Sequence, residues 1–295
     1  MHEAKSYKTG GAFRAALENR LQMRARDEKT DLQRLRREVA FDRFLARIFL
    51  RGPKADYPWL LKGGYAMELR IQFSRTTKDL DLTLHDGTGL SKDPKERGEE
   101  VRAMLQEAMR ANLDDFFEFL VGEAGGDLDG APEGGSRYPI QAQMDGRDFA
   151  RFPVDVGIGD EVIEPLDVVT GKDWLGFGGI APPSFPIISA EQQFAEKLHA
   201  YTLPRGGRTN TRTKDLIDMM LLIRSGNLEQ KKAVAAIRAT FTRRATHEVL
   251  HKLDSPPAGW TPVFDALVKE CGLAMTMREG FELTRKFIAT LETVG

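Results

Sequence analysis

Cysteine is almost missing from this chain: Cys271 is the only one in 295 residues. A disulfide within the chain is thereby excluded, and a reducing, cytoplasmic setting is favoured. Long apolar runs are missing too. Nothing approaches the roughly 20 consecutive apolar residues that span a bilayer, so no membrane partner is expected. The first residues lack the basic start, apolar stretch and small-residue cleavage site of a secretory leader. Nor is there an excess of charge of one sign: 43 Lys and Arg stand against 44 Asp and Glu, a formal net charge of −1. Without a global basic field, a nucleic-acid partner has to be held by a local patch. Arg205, Arg208, Arg212 and Lys214 form the best candidate. Gly206, Gly207, Thr209 and Asn210 among them are loop formers, so the same stretch also reads as a solvated loop.

What is present is a globular balance, 41% apolar and 29% charged residues, in a chain long enough for one large domain or two ordinary ones. Repeats and low-complexity tracts are absent. The spacing predicts two helices between Gly11 and Phe49, the second beginning at Thr30 and stopped by Gly52 and Pro53. A short apolar strand, Trp59 to Leu61, leads to Lys62, Gly63 and Gly64 and then a short helix, after which Thr77 to Leu84 alternates as a strand. Asp93 and Pro94 suit the start of a helix over 96–111. Strands follow at Phe117 to Val121, Tyr138 to Met144 and Phe149 to Ile158, the last two joined by an Asp145-Gly146 turn. Gly125 to Ser136 reads as a loop. Pro182 to Pro186 reads as a boundary. Beyond it Ser189 and Gln192 form a capping-box signal, and helices are expected at 190–203, 211–224, 228–243, around Glu248, and at 278–291.

Asp79 and Asp81 flank Leu80 on a predicted strand, and side chains two apart on a strand share a face. With ordinary pKa values near ~4, both are ionised at neutral pH and repel, so a bridging cation would relieve them, and oxygen donors suit Mg²⁺. Asp-x-Asp alone is common and also fits two solvated acids. Its context is more specific: Gly63-Gly64 ends the preceding strand, where backbone N–H groups and a helix N-terminus can approach phosphate. Asp155, between Val154 and Val156, is a third acid on a neighbouring strand. Such a trio can hold two metal ions about 3.5–4 Å apart, the geometry of nucleotidyl transfer. Lys197, beside Phe194, Leu198 and Tyr201 on a helix, can pack its stem and extend its ammonium. Asp215 and Asp218 are three apart and neighbours on one helical face, where one can hold Lys197 or orient a substrate base and the other cap its helix or pair with Arg212. Ser74 and Arg75, which could touch phosphate, read more simply as a polar turn, and His199, Glu196 and Cys271 receive no role.

Lys62-Gly63-Gly64 with Thr76, Thr77, Asp79 and Asp81, then AEKLHA (Ala195 to Ala200) and RTKDLID (Arg212 to Asp218), resembles the AbiEii/AbiGii toxin nucleotidyltransferases, including the mycobacterial MenT toxins, of the polymerase-β-like superfamily. The resemblance runs from about Leu61 to Ile223. It implies an α+β fold: a mixed-sheet nucleotidyltransferase domain with N-terminal helices over 1–183, and a helical C-terminal domain over 184–295. It also implies NTP as substrate, Mg²⁺ as cofactor, a cognate antitoxin of an AbiE-like type IV system and, as in several members, nucleotide addition to an RNA acceptor at the tRNA 3′ end, blocking translation. By position, Asp79, Asp81 and Asp155 match the metal-binding acids, Gly63 and Gly64 (with Lys62) the phosphate loop, and Lys197 the motif lysine. Asp215 and Asp218 lie in the last motif, Asp218 being the one favoured for function. Tyr65 replaces the usual Ser or Thr after the glycines. Rivals are nucleotidylation of a protein, a glycosyltransferase using the same Asp-x-Asp, which would want a βαβ unit ahead of the acids, and a non-catalytic partner with the same fold, which would be expected to have lost an acid.

Overall fold

Thr9 and Asp31 start the first two helices by accepting hydrogen bonds from the backbone N–H groups of Ala12 and Arg34, donors that a helix N-terminus otherwise leaves open. These are α1 (Gly10–Asp27) and α2 (Leu32–Ile48), so helices and no βαβ unit precede the first strand. The cap of α2 is Asp31, one residue beyond the expected Thr30. The computed structural model describes residues 6–71, 74–128, 130–249 and 253–293.

Next come β1 (Trp59–Lys62), α3 (Gly63–Arg70), β2 (Leu80–Leu84) and α4 (Pro94–Ala108), then β3 (Phe117–Val121), β4 (Gly125–Asp127), β5 (Gly135–Met144), β6 (Arg147–Ile158), β7 (Asp167–Thr170) and β8 (Ser184–Ile187). Asp93 caps α4 through the N–H groups of Lys95 and Glu96, with Pro94 in the first turn. Asp145 and Gly146 both take positive φ, 57° and 65°, and close the β5–β6 hairpin as the sequence implied. The chain ends in α5 (Ala190–Thr202), α6 (Thr213–Arg224), α7 (Gln230–Arg244), α8 (Thr261–Glu270) and α9 (Met277–Glu292).

Four expectations change. Gly125 to Ser136 is not wholly loop, because β4 pairs with β5 there. The helix expected around Glu248 is absent: 245–249 are irregular, and 250–252 lie outside the described residues. An unexpected helix, α8, forms instead around Phe264 and Val268, which are four apart and both buried. Ser189 caps α5 through the Gln192 N–H, but Gln192 turns its side chain to Glu161 and Ile163, so the reciprocal half of a capping box is missing.

The strands form one mixed sheet in the order β3-β5-β6-β2-β1-β8-β7, with β4 against β5. β2 runs parallel to β6 and β1 parallel to β8; the other pairs are antiparallel. Pairing by β8 carries the sheet past residue 183, where the helical half was expected to begin. The apolar residues divide slightly later: Ile187 belongs to the cluster between sheet, α1, α2 and α4, and Ala190 to the cluster of α5–α9, which also takes Met67 from α3. Among the described residues no helix is long and apolar enough to cross a membrane.

Beneath α3 lies a buried carboxyl that tests this packing. Asp42 on α2 is fully buried, accepting hydrogen bonds from the Tyr65 hydroxyl at 2.6 Å and the Lys172 N–H at 3.0 Å. Burial pushes it up to about 7 despite these donors. The folded state therefore keeps a proton that an unfolded Asp releases near ~4, so its contribution is complete below that pH and is lost as pH rises through about 7. Between about pH 5 and about pH 8 the wild-type Tm should fall more than that of Asp42→Asn, the penalty at the upper end being on the order of 1–3 kcal/mol. Parallel Tm–pH curves for the two proteins would remove Asp42 as the cause.

Candidate active site

β1 runs directly into α3, and the corner is possible because Gly63 takes φ 68°. Space demands glycine as well: a Cβ on Gly63 would lie 1.8 Å from Asp81 Oδ2, and one on Gly64 2.7 Å from Thr77 Oγ1. The Gly64 N–H points at Asp81 Oδ2 from 3.3 Å. Tyr65 is buried and gives its hydroxyl to Asp42, so that position offers no hydroxyl to the acids.

Cross-strand register places Lys62, Asp81, Asp155 and Arg137 in one row over β1, β2, β6 and β5, and residues in register share a face. The opposite face of β2 and β6 is apolar, with Leu80, Leu82, Val154 and Val156 buried. Asp81 and Asp155 thus oppose one another as like charges. Burial first, then Asp79 and Asp155, push the Asp81 carboxyl up to about 6. Asp79 precedes β2 and does not lie on it. It is held in a bend by the Thr77 hydroxyl, which donates to its Oδ1 at 2.6 Å, so a turn and not strand alternation brings it to Asp81.

The cations at the ends of the row behave differently. Arg137 donates to both Asp155 oxygens, at 2.6 and 2.7 Å, and comes within 3.7 Å of Asp79. Its bond to Asp155 holds the guanidinium above its ordinary range. Lys62, expected at phosphate, turns instead to Asp160 and lies 3.6 Å from Glu196. Burial would lower its pKa, but Glu196 and Asp160 overcome that and raise it. Asp160 also accepts from Arg244 at 2.8 Å, which ties the sheet to α7.

The helical half supplies the facing wall. Lys197 on α5 meets Asp218 at 3.0 Å and Asp215 at 3.2 Å, both from α6. Asp218 has no exposed side-chain surface and takes a two-pronged hydrogen bond from Arg75, both arms 2.8 Å. Burial would raise its carboxyl, yet Lys197 and Arg75 hold it below the ordinary range. Burial would likewise lower Lys197, but Asp218 and Asp215 keep it well above its usual value. Arg75, read from sequence as part of a polar turn, is the buried partner of Asp218. Gln193 on α5 donates to the Gly63 carbonyl at 2.8 Å and fixes the corner to the wall.

Between sheet and wall lie two adjoining hollows, of about 470 and 240 Å³. Asp81, Lys197, Arg212 and Asp215 border both; Lys62, Gly63 and Asp155 line the larger, Gly64 and Asp79 the smaller. The structure therefore gathers the expected residues at one cleft, except that Asp218, favoured from sequence, lines neither hollow and stands behind Lys197. Of the basic loop, Arg212 and Lys214 reach the cleft, whereas Arg205 is spent on the Ala200 carbonyl. His199 lines neither hollow, and burial lowers it to about 4. Among the described residues no three carboxylate, His or Cys side chains are already disposed as a metal-binding group. The donor set still suits a hard divalent cation: Asp79 and Asp155 add to burial in raising Asp81, and all three acids offer oxygen donors.

Arg137, Asp160, Gln193 and Arg244 escaped the sequence reading. Arg137 had a signal, since alternation about the buried Tyr138 puts it on the polar face, but its partner appears only once β5 is registered on β6. The other three belong to no motif and meet the site only through tertiary contact.

A sequence model of the family described as "Nucleotidyl transferase AbiEii toxin, Type IV TA system" matches residues 43–280. Among solved structures, the nucleotidyltransferase toxin MenT4 of Mycobacterium tuberculosis H37Rv is similar in fold, with 18% identity, a TM-score of 0.61 and coverage of 95% of this chain and 89% of that one. A chain from H. pylori described as a nucleotidyltransferase has 14% identity and a TM-score of 0.44 over 88% of this chain and 96% of that one, a likeness too loose to carry an argument. No curated protein matches the chain.

The two wall acids should separate by mutation. Asp218→Ala leaves Arg75 and Lys197 without their buried counter-charge and is expected to cost about 3–5 kcal/mol in denaturant unfolding. Asp215→Asn, which lines the cleft and leaves Lys197 paired with Asp218, should cost less, about 1–3 kcal/mol. Equal losses would show that the two carboxylates share one role.

Proposed function

Because the chain belongs to the AbiEii family of nucleotidyltransferase toxins of type IV toxin–antitoxin systems, we propose that it transfers NMP from an NTP to an RNA acceptor, the tRNA 3′ end, in a Mg²⁺-dependent reaction that blocks translation and is countered by a cognate antitoxin. The observation that carries this reading is the opposition of Asp81 and Asp155, with Asp79 beside them, at the foot of the Gly63-Gly64 corner and facing Lys197.

In the reaction an acceptor hydroxyl attacks the α-phosphorus in line, forming a new P–O bond while the bond to the β-phosphate oxygen breaks and pyrophosphate leaves. Gly63 and Gly64 let the backbone at the start of α3 approach phosphate, and the N-terminal end of that helix adds positive potential. Lys197 contributes a point charge toward the triphosphate. Asp215 and Asp218 hold its ammonium protonated and in place. Arg212 and Lys214 add charge at the rim of the smaller hollow. Asp79, Asp81 and Asp155 would hold Mg²⁺, which when bound neutralises phosphate charge and eases loss of the hydroxyl proton. The wall of α5 and α6 helps to exclude water from this charge-rich space, where fixed charges act more strongly than in bulk solvent.

The test is to incubate purified protein with each labelled NTP, Mg²⁺ and total tRNA, and to locate the label. Label should enter tRNA, and Asp81→Asn should lower incorporation on the order of 100-fold or more with an unchanged circular dichroism spectrum. Label in protein alone would replace the RNA acceptor with a protein one. No incorporation from any NTP would leave a non-catalytic partner as the reading.

A further inference from the structure

Nucleotidyl transfer, as described, gives no task to either cation of the charged row: Lys62 is taken up by Asp160, and Arg137 by the acids themselves. Arg137 projects from β5 beside Asp155, and its side chain remains 48% exposed. Even so, it occupies both oxygens of Asp155 and reaches Asp79. These are two of the three acids assigned above to the divalent cation. A guanidinium fork uses the same lone pairs that a cation needs, so Asp155 cannot serve both fully at once. Among the described residues Arg137 is not walled in: it borders a further hollow of about 690 Å³ over β3, β5 and β6, lined by residues such as Pro139, Phe152 and Pro153.

Direction in the cleft adds a second argument. Gly64, Thr77, Arg75 and Lys214 line the hollow on the Asp79 side, where the triphosphate is read to lie. Asp155 is absent from that hollow and lies toward β5, with Arg137 beyond it. In-line displacement requires the attacking hydroxyl to approach opposite the departing pyrophosphate. With the triphosphate in that hollow, in-line geometry leaves the β5–β6 side, past Arg137, for an acceptor strand whose phosphates a guanidinium can recognise.

We propose that Arg137 is a resident counter-ion that holds the place of the divalent cation between Asp155 and Asp79 and, once displaced, turns onto a backbone phosphate of the incoming RNA acceptor. The inference rests on the nucleotidyl-transfer reading and deepens it: Arg137 becomes a positioning residue for the acceptor and a competitor for the metal. Removing it has opposite effects on the two ligands, a pattern that a purely structural arginine would not produce.

Mn²⁺ titrated by calorimetry into the full chain, without nucleotide or RNA, tests the first half. Arg137→Ala should bind Mn²⁺ about three- to tenfold more tightly than wild type, Arg137→Lys should fall between them, and Asp155→Asn should bind more weakly. Steady-state labelling with tRNA tests the second half: Arg137→Ala should raise KM for tRNA on the order of tenfold while leaving KM for the NTP unchanged. Unchanged or weaker Mn²⁺ binding in Arg137→Ala, alongside clear binding by wild type that Asp81→Asn abolishes, overturns this inference and leaves the transfer reading standing. A KM change confined to the NTP also overturns it. Failure of wild type to bind Mn²⁺ or to label any acceptor overturns both.

Discussion

Asp81 and Asp155 face each other across neighbouring parallel strands, and much of the surrounding structure answers their repulsion. They cannot escape it by sliding: a one-residue slip of β2 against β6 would turn Asp81 into the apolar core and expose Leu80 and Leu82. The charge has to be met in place. Arg137 meets it from β5, the Gly64 N–H meets it from the start of α3, and Asp79 adds to it from a bend held by Thr77. Burial, together with the charge left uncompensated, raises the Asp81 carboxyl. A site that stores negative charge on a rigid sheet is one that a cation and a polyphosphate can complete together.

The helical half serves the same centre through charge pairs that are themselves buried. Asp218 is the hub, neutralising Arg75 from the loop before β2 and Lys197 from α5 at once. A second bridge, Lys62 and Arg244 on Asp160, joins the sheet to α7. Buried pairs of this kind add little net stability over an apolar replacement, but losing one partner is costly. They therefore register the two halves against each other, and the cleft keeps its shape because both sides are tied at its floor. Family membership supplies the reaction class; the geometry distributes the tasks, with Lys197 and Asp215 at the surface of the cleft and Asp218 behind them.

Local chemistry made several elements readable in advance. The alternation of Phe117 to Val121 matches β3 residue for residue, Asp145-Gly146 makes the hairpin, and Asp93-Pro94 opens α4. The glycine pair, Asp79, Asp81, Asp155, Lys197 and Asp215 do share a cleft, because motif spacing carries them to the ends of adjoining elements. Other features resisted. β8 is a strand despite its Pro186, since β1 and β7 flank it and Phe185 and Ile187 are buried; tertiary pairing overrides the turn-like composition. α8 has no side-chain cap to announce its start and is held by packing on α6.

By itself the sequence determined the alternation of sheet and helix, the helical C-terminal half, the glycine corner and the acids that crowd it, all consequences of side-chain periodicity and backbone preference within a few residues. Only the tertiary structure decided that Arg137 is the partner of Asp155, that Lys62 turns to Asp160, and that Asp218 lies buried behind Lys197 and not at the cleft. The reason is one of range. An ion pair depends on which strands become neighbours and in what register, and residues 18, 98 and 21 positions apart along the chain carry no local mark of that choice.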